Sequence, residues 1–142
     1  MRLPALTLLL ACGATALAAC APDGPVGSSA RRAATPAERL YATTCAACHR
    51  PDGSGIEGVQ PPLAGTPVAV GEPTELLGWV MYGRRPATLP RGGYAGNMPQ
   101  FSYLSDEDLA AILTHVRTSF GNHAAAVTPA MVAAARAAHR AG

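Results

Sequence analysis

Five consecutive residues, Cys45-Ala46-Ala47-Cys48-His49, put two thiols and an imidazole into little more than one helical turn. Residues three apart on a helix are neighbours on one face, so both sulfurs reach the same edge of a flat macrocycle while the next side chain turns beneath its centre. This is the C-x-x-C-H spacing by which two thiols add to haem vinyl groups and the adjacent histidine ligates the iron. A bare C-x-x-C also serves as a dithiol redox pair, half of a zinc site or a structural disulfide. Zinc wants four ligands, usually in two pairs, and the chain has no second C-x-x-C and no H-x-x-x-H. A thioredoxin-like motif wants strands alternating with helices, and no such pattern is present. One covalent haem held through Cys45, Cys48 and His49 is the chemistry that remains.

A haem iron bound by His49 needs a donor on its other face. Met98, in Gly96-Asn97-Met98-Pro99, lies in a glycine-rich loop well downstream. Its thioether is soft, suits a low-spin haem iron and raises the potential. Met81 falls on the apolar face of a helix and Met131 in an outer C-terminal helix, so both read as packing residues. His115 is the stronger rival, but it sits in mid-helix beside Val116, and His123 and His139 lie beyond it. The metal ligands expected are therefore His49 and Met98.

Elements must bring these groups together. Thr35-Pro36-Ala37-Glu38 supplies a capping threonine, a proline at the first helical position and a glutamate three residues after the cap. A helix starting there, with Leu40, Tyr41 and Thr44 on one face, runs into the two cysteines. From Arg50 to Pro73 glycine and proline recur too often for any long element, as in a loop wrapped around a rigid cofactor. Pro73 to Tyr82 predicts a short helix with Leu76, Leu77, Val80 and Met81 apolar, stopped by Gly83. Ser105-Asp106-Glu107-Asp108 opens the clearest helix, with three acids at the positive end of the dipole and Leu109, Ile112, Leu113 and Val116 at helical spacing, ended by Gly121. A last alanine-rich helix after Thr128-Pro129, to Ala138, offers only Met131 and Val132 and is expected to pack on the outside. No internal repeat and no strand pattern is found.

The 142 residues suit one core of about 100 residues preceded by a leader. Only 5% are aromatic although 49% are hydrophobic, because alanine carries much of that total. A bulky cofactor would fill so thin a core. Charged residues make up 14%, all 11 basic residues are arginine, and the formal balance of +2 excludes nucleic acid as an expected partner.

Met1-Arg2-Leu3 followed by an apolar run to Ala19 has the charged start, short apolar stretch and small-residue end of a secretory signal. The run is too short to span a bilayer. Leu17-Ala18-Ala19-Cys20 resembles a bacterial lipobox, which makes Cys20 the expected lipidation site, against ordinary cleavage near Ala18 or Ala19 and a weaker candidate at Leu10-Ala11-Cys12. A free thiol would be a liability in an oxidising compartment, which favours the lipid. Residues 21–34, Pro, Gly, Ser and Ala with an arginine pair, have a tether's composition. The organisation expected is a signal peptide of lipoprotein type over 1–19, a flexible tether over 20–34, a haem-binding domain over 35–122 and a C-terminal extension with a short helix over 123–142.

The helix ending in C-x-x-C-H, the Pro61-Pro62-Leu63-Ala64-Gly65 loop, Met98-Pro99 and the Leu104-Ser105-Asp106-Glu107-Asp108 helix occur in that order in class I c-type cytochromes, which this chain resembles from about Thr35 to Gly121. Tyr82-Gly83-Arg84-Arg85-Pro86, Gly93-Tyr94-Ala95-Gly96-Asn97-Met98-Pro99 and Val116-Arg117-Thr118-Ser119-Phe120-Gly121-Asn122 make it similar to the haem domains of cytochrome subunits of bacterial membrane-associated alcohol and sugar-acid dehydrogenases. Those subunits typically carry three such domains, and this chain has one. The resemblance implies an all-α cytochrome c fold, three to five short helices wrapped around one covalent haem c. It implies that the Pro61 carbonyl accepts the proximal imidazole N–H, orienting His49 and making it a better donor. It also implies that Leu63 packs on the haem and that the first and acid-capped helices cross near Tyr41 and Leu109 or Leu113. Many relatives place an aromatic where this chain has His115. Arg84, Arg85 and Trp79 are candidates to bond propionates or line a docking surface.

With both axial positions filled, iron offers no open site, so outer-sphere one-electron exchange is expected. No Ser-His-Asp set, phosphate loop or carboxylate pair supports an enzyme. The function expected is a periplasmic electron carrier, lipid-held at the membrane, between a dehydrogenase and a terminal oxidase or another cytochrome, free or as a complex subunit. The alternative is a haem sensor or ligand-binding module in which Met98 dissociates; a peroxidase would need Met98 not to ligate at all.

Overall fold

Four threonine–proline or serine–acid signals set where helices begin in this computed structural model, which describes residues 32–89 and 92–141. The leader, Cys20 and residues 20–31 of the expected tether lie outside the described residues. Helix α1, Pro36–Thr44, starts with a full capping box: Thr35 accepts from the Glu38 N–H, and Glu38 accepts from the Thr35 N–H. Two of the helix's orphan donors are thereby satisfied reciprocally. After Cys45 the chain re-enters a single turn, α2, Ala46–His49, whose C-cap Arg50 has φ 63°.

The loop that follows is not wholly irregular. Thr66 caps the Ala69 N–H and Pro67 occupies the first position of a one-turn helix, α3, Pro67–Val70. This turn repeats the threonine–proline signal of α1, hidden from sequence patterns by its shortness among glycines and prolines. α4 spans Pro73–Tyr82 and ends on Gly83 in the left-handed conformation, where the missing Cβ removes the steric penalty. α5, Asp106–Thr118, is capped by the Ser105 side chain on the Asp108 N–H. It ends at Thr118 rather than at Gly121, because Ser119 is extended and Phe120 already takes φ 58°. α6, Pro129–Ala141, runs three residues past Ala138.

Residues 33–142 form one compact unit. α1 packs across α5, and α6 lies against both α5 and α4. The main core joins Leu76, Leu77, Val80 and Met81 of α4 to Leu109, Ala110 and Leu113 of α5 and Val132 of α6. Val132 is fully buried, so α6 contributes to the core as well as covering its outside. Each such apolar side chain taken out of water stabilises the fold by about 1.5–3 kcal/mol. The expected crossing of α1 and α5 is occupied by three rings: Tyr41 lies 5.1 Å from His115 and 5.2 Å from Phe120, centroid to centroid. His115 thus supplies the α5 ring at this crossing. The architecture is all-α, with six helices among the described residues instead of three to five, because α2 and α3 are single turns. The β-structure there amounts to one isolated bridge between Ile56 and Gln60. No helix among the described residues is long and apolar enough to cross a membrane.

Candidate functional site

α1 delivers the Cys45 pair at its C-terminus, and the turn α2 carries His49 round to the interior. His49 is 8% exposed, and its Nδ1 lies 3.2 Å from the Pro61 carbonyl oxygen. A carbonyl can only accept, so Nδ1 carries the proton and Nε2 keeps the free lone pair. Burial pushes the imidazole below its ordinary value of 6.5, opposed by the bond to Pro61. The ring is therefore neutral at pH 7, the form that ligates a metal. Tyr41 steadies the end of the turn from below: its hydroxyl donates to the Arg50 carbonyl at 2.7 Å, and burial holds the phenol up to about 12.

A cleft lined mostly by apolar side chains opens beside this turn. Cys45, His49, Pro61, Leu63 and Met98 all line it, with Leu76 and Val80 of α4 and Leu109, Ile112, Leu113 and Val116 of α5. Cys45 is half-buried and Cys48 exposed, both free thiols. Burial, with Cys48 adding to it, pushes the Cys45 thiol up to about 11. Cys48 is not among the lining residues and sits on the outer side of the same turn. Trp79 and Arg85 line the cleft. Arg85 also donates to the Leu89 carbonyl at 3.3 Å. Arg84 does not line it: its guanidinium sits 6.0 Å from the Tyr82 ring centre and packs over Gly78. Of the two arginines, Arg85 alone is placed to meet a group in the cleft.

Two residues outside the expected site shape its walls. Asn122, 3% exposed, donates to the Leu63 and Val116 carbonyls at 3.1 and 2.8 Å and accepts from the Gly65 N–H at 2.7 Å. It ties the Pro61–Gly65 loop to the end of α5. Arg117, 2% exposed, donates to the carbonyls of Ala69 and Gly71 at 2.9 Å each and to that of Ala125. It binds α3 to α5 and to the segment leading into α6. A lone buried arginine offers no sequence signal that it will serve backbone carbonyls; the asparagine just past a helix end was the better clue.

On the other side, the Met98 segment is laid against the loop after α2. Ala95 and Gly96 donate their N–H groups to the carbonyls of Gly58 and Val59 at 3.0 and 2.8 Å. Gly96 permits this approach, since a Cβ there would sit 2.5 Å from the Val59 carbonyl oxygen and closer still to Gln60. Beyond Met98, the Phe101 N–H donates to the Val80 carbonyl at 3.0 Å.

The donor set and the cleft fit a haem: a mostly apolar cleft lined by the Cys45 thiol, with Cys48 on the outer side of the same turn, a neutral histidine with its Nε2 lone pair free, and a thioether lining the same cleft from another segment. Leu63 and Pro61 stand where a proximal loop would hold the ring.

Comparison with known proteins agrees. The Cytochrome c family model matches residues 34–120. The chain is 39% identical over 102 residues to the cytochrome c subunit of the quinone alcohol dehydrogenase of Gluconacetobacter polyoxogenes, covering 68% of this chain and 21% of that one. It is 37% identical over 94 residues to the gluconate 2-dehydrogenase cytochrome c subunit of Pantoea cypripedii, covering 64% and 21%. With cytochrome c-552 of Thermus thermophilus it shares 37% identity over 89 residues, 59% of this chain and 67% of that one. The chain therefore spans about a fifth of the dehydrogenase subunits it matches and about two thirds of the single small cytochrome. A family match over more than half the chain, on a helical fold that puts a C-x-x-C-H turn against an apolar slot, means that this chain belongs to the cytochrome c family, electron carriers with covalently bound haem c.

Proposed function

We propose that this chain is a periplasmic one-electron carrier whose haem c is bound by Cys45 and Cys48 and ligated by His49 and Met98. The observation that carries the proposal is the convergence of His49 and Met98, far apart in sequence, on one apolar cleft. The haem supplies a one-electron couple between ferric and ferrous iron. The protein's own residues supply the rest. Pro61 holds the imidazole in the tautomer that leaves Nε2 free to donate, and Met98 would hold the iron with a soft donor that raises the potential. Leu63, Ile112, Leu113 and Val116 would keep water away, and Arg85 and Trp79, which also line the cleft, are the groups that would bond propionates.

The dehydrogenase subunits among the relatives support a dehydrogenase as electron donor; a terminal oxidase or another cytochrome would be the acceptor. Contact with either is expected to be small and transient. Lipid on Cys20 would hold the carrier at the membrane and raise its local concentration near such partners.

The optical spectrum of the purified ferric and ferrous holoprotein, with and without carbon monoxide, tests the reading. A low-spin spectrum with the weak far-red sulfur-to-iron band and only a slow response to carbon monoxide, limited by departure of Met98, is expected. A high-spin or readily shifted spectrum would instead support a ligand-binding or sensor haem with a labile Met98. Mass spectrometry of the mature N-terminus tests the tether, and an unlipidated mass would remove it.

A further inference from the structure

The helix α6 lies wholly outside the segment that matches the cytochrome c family, which ends at residue 120. One of its side chains nonetheless reaches the segment that carries Met98. Arg136 presents its whole guanidinium fork to the approach to α5. Nε donates to Asp106 Oδ1 at 2.6 Å, Nη1 to the Ser102 carbonyl and Nη2 to the Leu104 carbonyl. The ion pair is largely shielded, with the Arg136 and Asp106 side chains 22% and 29% exposed. Leu104 also lines the haem cleft, as does Met98.

Residues 99–105 form the link between Met98 and the cap of α5. That link has no regular structure of its own, and its other main-chain tie to the core is the Phe101 N–H on the Val80 carbonyl. The carbonyls that Arg136 holds bracket Tyr103, which is 75% exposed and packs on little besides Phe101. A planar fork that satisfies two carbonyls and a carboxylate at once fixes the backbone in a way a single ammonium would not.

We infer that Arg136 is a positioning residue for Met98: by clamping the Ser102 and Leu104 carbonyls it holds the link rigid, so that the thioether stays on the iron. The inference rests on Met98 being the ligand. Two independent attachments support the division of labour. α6 is held to the body of the protein by Val132 in the core and by the Tyr82–His139 stack, with ring centroids 3.7 Å apart. The helix would therefore keep its place without the Arg136 fork, and loss of the fork acts on the link.

The test uses the holoprotein and three variants. Arg136→Met keeps length and apolar stem but removes every donor. His139→Ala loosens α6 from α4 and leaves the fork intact. Arg136→Lys keeps the charge and loses the fork. The readouts are the rate of carbon monoxide uptake by the ferrous protein, which is gated by departure of Met98, and the pH at which the ferric far-red band disappears. Arg136→Met is expected to raise the uptake rate by about tenfold, equivalent to about 1.4 kcal/mol, and to lower the pH of band loss. Arg136→Lys is expected to fall between Arg136→Met and the parent protein. His139→Ala is expected to lower the denaturation midpoint with neither readout changed. If His139→Ala moves both readouts as far as Arg136→Met at equal loss of stability, the effect is general loosening and the inference fails. If the parent protein shows the band and Arg136→Met leaves both readouts unchanged, the inference fails alone. If the parent protein lacks the band or takes up carbon monoxide freely, Met98 is not the ligand and both readings fall together.

Discussion

Asn122 reaches back to Leu63, its side-chain amide donating to the Leu63 carbonyl at 3.1 Å while the same side chain accepts from the Gly65 N–H at 2.7 Å. The loop that lines the cleft with Pro61 and Leu63 is thus fastened to the C-terminal end of α5. Asn122→Ala leaves two carbonyls and an N–H without this partner in a buried place. A loss of about 2–4 kcal/mol is expected from denaturant unfolding of the holoprotein, with the slope of the transition unchanged. Asn122→Asp keeps the acceptor for Gly65 but sets a buried carboxylate oxygen against the Leu63 and Val116 carbonyls, so it should be at least as destabilising as Asn122→Ala; a variant as stable as the parent would show that the fastening is unimportant.

On the proposed ligation, Met98→Ala would open the sixth position. Carbon monoxide binding to the ferrous protein should become fast, the far-red band should vanish and the reduction potential should fall, because a soft donor that favours ferrous iron is gone. Spectrophotometric titration reads all three, and an unchanged spectrum would reject Met98 as ligand.

Covalent attachment is checked without spectroscopy. Acid–acetone extraction should leave the haem with the parent polypeptide and remove it from the double variant Cys45→Ala/Cys48→Ala. Release from the parent would mean that the thiols do not form thioethers.

His115 gives the fold a pH dependence of its own. Packed between Tyr41 and Phe120, with Ser119 3.1 Å from its Nδ1, it is held below its ordinary 6.5 by burial, with the Glu38 carboxylate pulling the other way. The fold favours the neutral ring, so the unfolded chain binds this proton more readily. Stability is full above the unfolded value and declines as pH falls through it toward the lower folded value, where the decline levels off. His115→Phe should therefore lose less stability than the parent protein between about pH 7 and pH 5. Equal losses by urea unfolding would show that the histidine is not responsible.

Much of this was legible in the residues because it is local. The Thr35–Glu38 capping box, the Gly83 stop, the acid-capped start of α5 and the C-x-x-C-H turn each depend on neighbours within one helical turn. The bond from His49 to Pro61 followed from family likeness rather than from spacing, and the structure shows its geometry. What was not legible depends on contacts between distant segments. Nothing near Val132 tells that it will be fully buried against α4 and α5. Arg84 and Arg85 look equivalent side by side, yet Arg84 turns over Tyr82 while Arg85 lines the cleft. Nothing near Arg117 or Arg136 in the sequence points to backbone carbonyls, yet each donates to two carbonyls 30 or more residues away. α5 ends early for a reason no helical pattern carries, the left-handed turn at Phe120.

Gly96 has a bearing on speed as well as on shape. Its N–H is bonded to the Val59 carbonyl, and a Cβ would meet that oxygen at 2.5 Å, so the two loops are joined here by bare backbone. Backbone dipoles locked in such a seam reorient far less than loose water when the charge on a nearby redox centre changes. A larger residue at 96 would part the loops and admit solvent that must rearrange with every electron. On the proposed haem site, the seam would lower the reorganisation energy of electron transfer and so bear on how fast the carrier is loaded and emptied.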